Sequence, residues 1–128
     1  MAGPLEGKTI LIVDDDQDIL TAMETTLTET GATITTATDG NQALTACQQH
    51  DPDLVVLDMG LPKRSGFLVL NGIKPGKKAG TRPLVVVVTG NAGKRHEVYA
   101  RSLGVDDYLN KPFRMERLVK SVEDLLAS

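Results

Sequence analysis

The chain has 128 residues and a net charge of −3, with 41% hydrophobic and 24% charged residues. These values are typical of one globular domain, long enough for a single core and too short for two. The longest apolar runs have about five residues, against the roughly twenty of a membrane-spanning helix. The N-terminus lacks the apolar segment of a secretion signal, and Cys47 is the only cysteine, so no internal disulfide forms. We therefore expect a cytoplasmic protein with no membrane contact.

The charge is distributed unevenly along the chain. Residues 1–62 carry eleven acids and one base, a net charge of −10, and residues 63–128 carry six acids and thirteen bases, a net charge of +7. The two halves of one domain interleave in space, so this asymmetry need not create two poles. It indicates an acidic site in the first half and its counter-charge in the second.

Five strands are predicted, each followed by a helix. Three continuously apolar, β-branched runs are typical of central strands covered on both faces: 9–13, 54–57 and 84–88. Two more polar runs predict edge strands: 32–37 and 105–109.

Helical spacing of apolar residues follows the first strand, with Gly31 closing that helix, and is clearest between Met115 and Leu126. Asp39 predicts the capped start of the second helix. The segment 92–103 is less amphipathic, so we expect a comparatively mobile helix there.

Strands that alternate with helices imply a parallel sheet with helices on both faces. With the most apolar strands central, we predict a (βα)5 flavodoxin-like, doubly wound α/β fold of strand order 2-1-3-4-5. The expected unit is a single domain over residues 1–128, with its core at about 8–126.

Polar side chains follow the predicted central strands where a doubly wound sheet binds ligands, beyond the carboxyl ends of its strands. Asp14 and Asp15 follow the first strand, and Asp58, Thr89 and Lys111 follow later ones. Clustered carboxylates without histidine or cysteine favour a hard cation, Mg²⁺ first with Mn²⁺ as an alternative. Such a site takes a phosphate group as a further ligand, and Asp58 beside it is placed to accept the phosphoryl group as a nucleophile.

These residues resemble the receiver domain of two-component response regulators, in a single-domain form similar to the chemotaxis regulators. The resemblance extends from Lys8 to Leu126 and is carried by ILIVDDD, LVVLDMGLP, VVVVTG and DDYLNKPF. It implies that Asp58 is the phosphoacceptor.

The resemblance also implies roles for the other residues of the site. The metal would be held by Asp14, Asp15, Asp58 and the Gly60 carbonyl. Thr89 and Lys111 would contact the phosphoryl group, Thr89 and Tyr108 would form the switch, and the Lys111–Pro112 peptide would be cis.

The family's function is to accept a phosphoryl group from a sensor histidine kinase or a histidine phosphotransfer protein. Such a domain is not an enzyme beyond its own phosphorylation and dephosphorylation. We expect Thr89 and Lys111 to move toward the phosphoryl group and Tyr108 to turn inward. The face of helix four, strand five and helix five would then bind a downstream protein or a second copy. Its segments carry six bases: Lys94, Arg95, Arg101, Arg114, Arg117 and Lys120.

Several features depart from the common pattern. Gly60 lacks the polar side chain of many relatives, Asn91 lies at a position that tunes phosphoryl hydrolysis, and the loop KPGKKAGTRP at 74–83 is unusually basic. With 3% aromatic residues and no tryptophan, we expect no direct binding of nucleic acid. Either a free-standing protein or a module of a hybrid kinase fits the sequence.

Two alternatives stay open. In a haloacid-dehalogenase-type phosphohydrolase, three pairs would form the motifs: Asp14 and Asp16, Thr89 and Gly90, Asp106 and Asp107. Against it, Asp18 stands where that motif prefers Thr or Val, and Lys111 follows the acidic pair instead of preceding it. The second alternative is a pseudo-receiver that only binds partners, which the complete set of site residues disfavours.

Overall fold

A computed structural model describes residues 3–61, 65–90 and 94–127 of the chain. Strands and helices alternate along the sequence as β1 (Thr9–Val13), α1 (Gln17–Thr28), β2 (Thr33–Ala37), α2 (Gly40–His50), β3 (Leu54–Asp58), α3 (Gly66–Ile73), β4 (Leu84–Thr89), α4 (Lys94–Ser102), β5 (Asp107–Asn110) and α5 (Met115–Leu126).

The five strands form one parallel sheet in the order β2-β1-β3-β4-β5, which confirms the predicted topology. The register aligns the carboxyl ends of neighbouring strands: Val13 pairs with Leu57, and Thr89 pairs with Asn110. One rim of the sheet therefore collects the residues that follow every strand.

Helices cover both faces of this sheet, which explains the continuous apolar runs of the central strands. In β1, Leu11 and Val13 belong to the core cluster beneath α2, α3 and α4, while Ile10 and Ile12 belong to the cluster beneath α1 and α5. Every residue of β3 is buried. A strand enclosed on both sides has no solvent-facing positions and hence no alternation.

The helix starts follow from local polar residues. The Asp16 carboxylate accepts hydrogen bonds from the N–H groups of Asp18 and Ile19, and the Asp39 carboxylate accepts one from Gln42 N–H. Ser65 caps α3 in the same way through Leu68 N–H. Asp16 is thus the N-cap of α1, a position where the helix dipole favours an acid.

The boundaries of some elements differ from the prediction. β5 begins at Asp107, two residues later than expected, and packing extends ahead of residue 8, because Leu5 is buried beside α1. The peptides Lys111–Pro112 and Arg82–Pro83 are both cis. None of the described helices has the length and hydrophobicity needed to cross a lipid bilayer.

The strand order places the two halves of the chain at different parts of the sheet. β1 and β2 lie at one side of the sheet, and β4 and β5 lie at the other, with β3 between them. The acidic first half therefore supplies β1, β2 and β3, the basic second half supplies β4 and β5, and helices of the two halves meet where α1 packs against α5 and α2 against α3.

Candidate functional site

Four of the predicted site residues meet at the rim formed by the carboxyl ends of the strands. Asp14 directly follows β1, Asp58 ends β3, Thr89 ends β4 and Lys111 directly follows β5. They come from separate parts of the sequence, and the parallel sheet brings them together.

Three carboxylates form a cluster at this rim. Each of Asp14, Asp15 and Asp58 offers an oxygen, and these oxygens all lie within 4.8 Å of one another. Asp14 is fully buried and Asp58 is 5% exposed, whereas Asp15 faces solvent. Carboxylates this close repel one another unless a cation or a proton intervenes.

Backbone groups hold two of these side chains in place. The Asp14 carboxylate accepts a hydrogen bond from Asp16 N–H at 2.9 Å, and the Asp58 carboxylate accepts one from Gly60 N–H at 3.1 Å. Both bonds span two residues, so the turn after each strand fixes the carboxylate at its end. Gly60 therefore lies directly beside Asp58.

Lys111 provides the counter-charge. Its Nζ lies 2.9 Å from Asp14 Oδ2 and 3.7 Å from Asp58 Oδ2, and its backbone N–H donates to the Thr89 carbonyl at 2.7 Å. Burial disfavours the ammonium, but the hydrogen bond to Asp14 and the nearby charge of Asp58 outweigh it and raise the pKa of Lys111. The side chain is therefore charged at neutral pH.

Asp58 lies in an environment that opposes its ionisation. Burial raises the pKa of its carboxyl, and the charges of Asp14 and Asp15 raise it further. The Gly60 N–H and the Lys111 ammonium only partly offset these effects. Any added cation would stabilise the ionised form of Asp58.

The cluster has the donor set of a hard divalent cation. Three carboxylates supply only oxygen, the ligand type that Mg²⁺ and Mn²⁺ prefer, and the exposed Asp15 leaves one side open to water and phosphate. The residues present therefore fit the predicted metal.

The two predicted switch residues are buried. Thr89 is 5% exposed and Tyr108 is 7% exposed. We expected Tyr108 to turn inward on phosphorylation, yet its ring already lies within the core cluster beside Ala100 and Leu103. Burial, followed by the charge of Glu97, raises the pKa of the Tyr108 hydroxyl.

Other sequence candidates lie elsewhere. The acidic pair Asp106 and Asp107 stands at the start of β5, opposite Val85 and Val86, at the end of the sheet remote from the rim. That placement removes the third motif of the phosphohydrolase alternative. Asn91, named above for its position in the family pattern, lies outside the described residues.

Sequence reasoning missed the contacts of this acidic pair. Asp106 accepts a hydrogen bond from the buried ammonium of Lys74 at 2.5 Å, and Asp107 accepts one from Ser121 at 2.6 Å. The partners stand 32 and 14 residues away, respectively, and no motif relates them. For the contact between Lys74 and Asp106, the sequence offers only one indication, a lysine that directly follows an apolar helix.

Comparison with known proteins identifies the family. The sequence model of one protein family, the response regulator receiver domain, matches residues 10–123. The chain belongs to this family. It is 39% identical over 110 residues to the transcriptional regulatory protein KdpE of Mycobacterium tuberculosis, and the match covers 86% of the chain and 47% of that protein. It is 34% identical over 120 residues to the alkaline phosphatase synthesis transcriptional regulatory protein PhoP of Bacillus subtilis, covering 94% and 49%.

The chain thus spans about half the length of these curated relatives.

Solved receiver domains share its fold. One, from a putative LuxO repressor protein of Vibrio parahaemolyticus, has a TM-score of 0.85 and 26% identity, covering 93% of this chain and 89% of that one. Another, from the sensor histidine kinase PA1611 of Pseudomonas aeruginosa PAO1, has a magnesium ion coordinated in its active-site cleft. It has a TM-score of 0.81 and 28% identity, covering 95% and 99%.

The chain is therefore a receiver domain of two-component signalling, a family of phosphorylation-controlled switches. The phosphohydrolase and the pseudo-receiver are not favoured.

Proposed function

We propose that this domain, over residues 1–128 with its core at about 8–126, accepts a phosphoryl group on Asp58. The observation that carries the proposal is the convergence of Asp58 with Asp14, Asp15 and Lys111 at one rim. A carboxylate oxygen of Asp58 attacks the phosphorus of a phosphohistidine. The phosphorus–nitrogen bond breaks, the imidazole leaves, and an acyl phosphate forms. Water later hydrolyses it, so the domain acts only on itself.

Each neighbouring residue has a role in this step. Asp14, Asp15, Asp58 and the Gly60 carbonyl would hold Mg²⁺, or Mn²⁺ in its place. When bound, the ion neutralises charge on the phosphoryl oxygens. The Lys111 ammonium pairs with the phosphoryl group, and the Thr89 hydroxyl donates a hydrogen bond to it.

The switch is a shift between two arrangements of one face. The new charge draws Thr89 and Lys111 toward Asp58, and the burial of Tyr108 is coupled to that movement. The face consists of α4, β5 and α5. We propose that it binds a downstream protein or a second copy of the chain.

The upstream partner in this proposal is a sensor histidine kinase or a histidine phosphotransfer protein in the cytoplasm. The domain itself binds neither nucleic acid nor membrane. Support comes from the family match and from the oxygen-only acidic cluster, which suits a divalent cation beside a phosphoryl group.

The first test is phosphorylation by acetyl phosphate with Mg²⁺, followed by intact mass measurement. We expect one phosphoryl group, removed by hydroxylamine and absent from Asp58→Asn. Asp124→Asn, which changes an exposed acid on α5, is the matched control and should be phosphorylated normally. An adduct that persists in Asp58→Asn would refute the assignment. Steady hydrolysis of the donor without any adduct would favour the phosphohydrolase.

A further inference from the structure

Asp107, at the start of β5, contacts side chains from two different helices. Its carboxylate accepts a hydrogen bond from Ser121 Oγ of α5 at 2.6 Å and lies 3.5 Å from Arg117 Nη1 of the same helix. On the other side it lies 3.7 Å from Arg101 Nη2 of α4. The N–H of Tyr108 donates to it at 2.8 Å and fixes its orientation. One carboxylate therefore links α4, β5 and α5.

The two helices depend on this link to different degrees. α5 buries an apolar stripe against the sheet, with Leu118 and Val122 inaccessible to solvent. In α4, Ala100 is the only buried residue among the side chains that the structure describes, and Val98 and Tyr99 are 60% and 53% exposed. Apolar burial therefore anchors α5 firmly and α4 weakly, so polar contacts contribute a larger share of what positions α4.

The residue that α4 covers is the predicted switch. Tyr108 follows Asp107 and belongs to the same core cluster as Ala100 of α4 and Leu103 just after it. The charge of Glu97, which is paired with Arg101 at 3.0 Å, also acts on the Tyr108 hydroxyl. A displacement of α4 would therefore expose the Tyr108 ring.

We infer that Asp107 is a positioning residue of the switch: by tying α4 to β5 and α5, it stabilises the arrangement in which Tyr108 is buried, which is also the arrangement that occupation of Asp58 favours. The inference rests on the proposed function for its link to Asp58. It assigns to Asp107 no contact with the phosphoryl group, because the carboxylate lies at the opposite end of β5 from Lys111. Its effect on the switch passes through Arg101 and α4.

The chain offers a direct readout of this effect. Tyr99 and Tyr108 are its only tyrosines, and it has no tryptophan, so Tyr99→Phe leaves Tyr108 as the only source of tyrosine fluorescence. In that background we expect Asp107→Asn to raise the acrylamide quenching constant of Tyr108 at least twofold. The matched control is Asp124→Asn, which removes an exposed acid of α5 that pairs with Lys120, and it should leave quenching unchanged.

A second variant tests the α4 side of the link alone. Arg101→Gln changes a side chain that is 45% exposed, so the domain should fold even if Asp107→Asn does not. It should raise the quenching constant in the same direction. Quenching equal to the parent in a folded Asp107→Asn protein, or in Arg101→Gln when the former does not fold, would overturn the inference.

A phosphoryl mimic separates a switch role from a merely structural one. We expect Mg²⁺ with beryllofluoride to return the quenching constant of Asp107→Asn to that of the parent, because occupation of Asp58 favours the arrangement with Tyr108 buried. A quenching constant that stays raised in Asp107→Asn with beryllofluoride, although that variant still forms the acyl phosphate by mass, would contradict the coupling. If instead the parent protein forms no acyl phosphate with acetyl phosphate and Mg²⁺, the proposed function is refuted.

Discussion

At the scale of single residues, the site holds more negative than positive charge. Asp14 and Asp58 are buried, Asp15 lies beside them, and the Lys111 ammonium bonds to Asp14 at a shorter distance than to Asp58. One positive charge therefore faces three negative ones. The imbalance favours uptake of a divalent cation, and Lys111 competes with that cation for Asp14.

Removal of the Lys111 charge should therefore tighten the binding of Mg²⁺. We expect Lys111→Met to bind Mg²⁺ at least about five- to tenfold more tightly, since a unit charge about 4 Å away is worth about 1 kcal/mol in bulk water and more near a protein surface. Isothermal titration without a phosphoryl donor measures this directly. Lys120→Met, on the exposed side of α5, should bind like the wild type. Weaker binding in Lys111→Met would show that the lysine does not compete.

Ionised Asp58 should destabilise the metal-free domain at neutral pH. Its pKa is raised by burial and by Asp14 and Asp15, so its contribution to stability is complete below the ordinary pKa of Asp and is lost as pH rises through the folded value. We therefore expect Asp58→Asn to raise the free energy of unfolding at pH 7 in EDTA. The gain should shrink toward pH 4, as urea titrations at both pH values would show. A gain independent of pH would contradict the expected cause.

At the scale of helices and strands, the sequence predicts those elements whose pattern arises locally. β1 matches its predicted bounds, and β3 and β4 extend one residue past theirs. Asp39 caps α2, which confirms that prediction. A continuous apolar run and a capping residue are both local patterns, so they are visible without a structure. The site residues were predictable for the same reason, because each stands at the end of such a strand.

Contacts between distant elements produce no local pattern in the sequence. α3 has only eight residues, is apolar on most sides and contains two glycines, so its bounds had no periodic signal. The partners of Asp106 and Asp107 depend on how α3, α4 and α5 are placed around the sheet. The burial of Tyr108 depends on α4 in the same way. None of these features follows from spacing along the chain.

The buried pair of Lys74 and Asp106 should be important for stability. Lys74 ends α3, and Asp106 also accepts hydrogen bonds from the N–H groups of Gly80 and Val85, so one carboxylate anchors the basic loop. Removal of one member of a buried pair typically costs about 3–5 kcal/mol. We expect a loss of this order in urea unfolding of Lys74→Met. Lys77→Met, in the same loop but exposed, should lose less than about 0.5 kcal/mol. Equal losses would disprove the anchor.

Gly66 permits the close approach of α3 to the turn after β3. A Cβ at this position would lie 2.5 Å from the Met59 Cα and 2.8 Å from its Sδ, distances at which the backbone must shift. We expect Gly66→Ala to lower the free energy of unfolding by about 1–3 kcal/mol. Gly76→Ala places its methyl group in open space and is the control. A Gly66→Ala protein as stable as that control would show that α3 can move away freely.

At the scale of the whole molecule, the two core clusters share one sheet. The side chains of β1, β3 and β4 point alternately into each cluster, so neither layer can lose its packing without the other. We expect a single cooperative unfolding transition in urea. The midpoints from far-ultraviolet circular dichroism and from tyrosine fluorescence should coincide. Separate midpoints would mean that one layer, most readily that of the weakly buried α4, opens alone.

The acidic half of the sequence supplies β1, β2 and β3, and the basic half supplies β4 and β5. We therefore expect an electric dipole across the strands, negative toward β2 and positive toward β5. In the field of a charged partner this dipole exerts a torque, so the domain rotates toward a preferred orientation before the two surfaces touch. Such pre-alignment raises the rate of productive encounters more than the lifetime of the complex, and it fades as added salt shortens the Debye length. A net charge of only −3 thus conceals an uneven charge distribution, whose field acts on a partner within about one Debye length, roughly 8–10 Å at physiological salt.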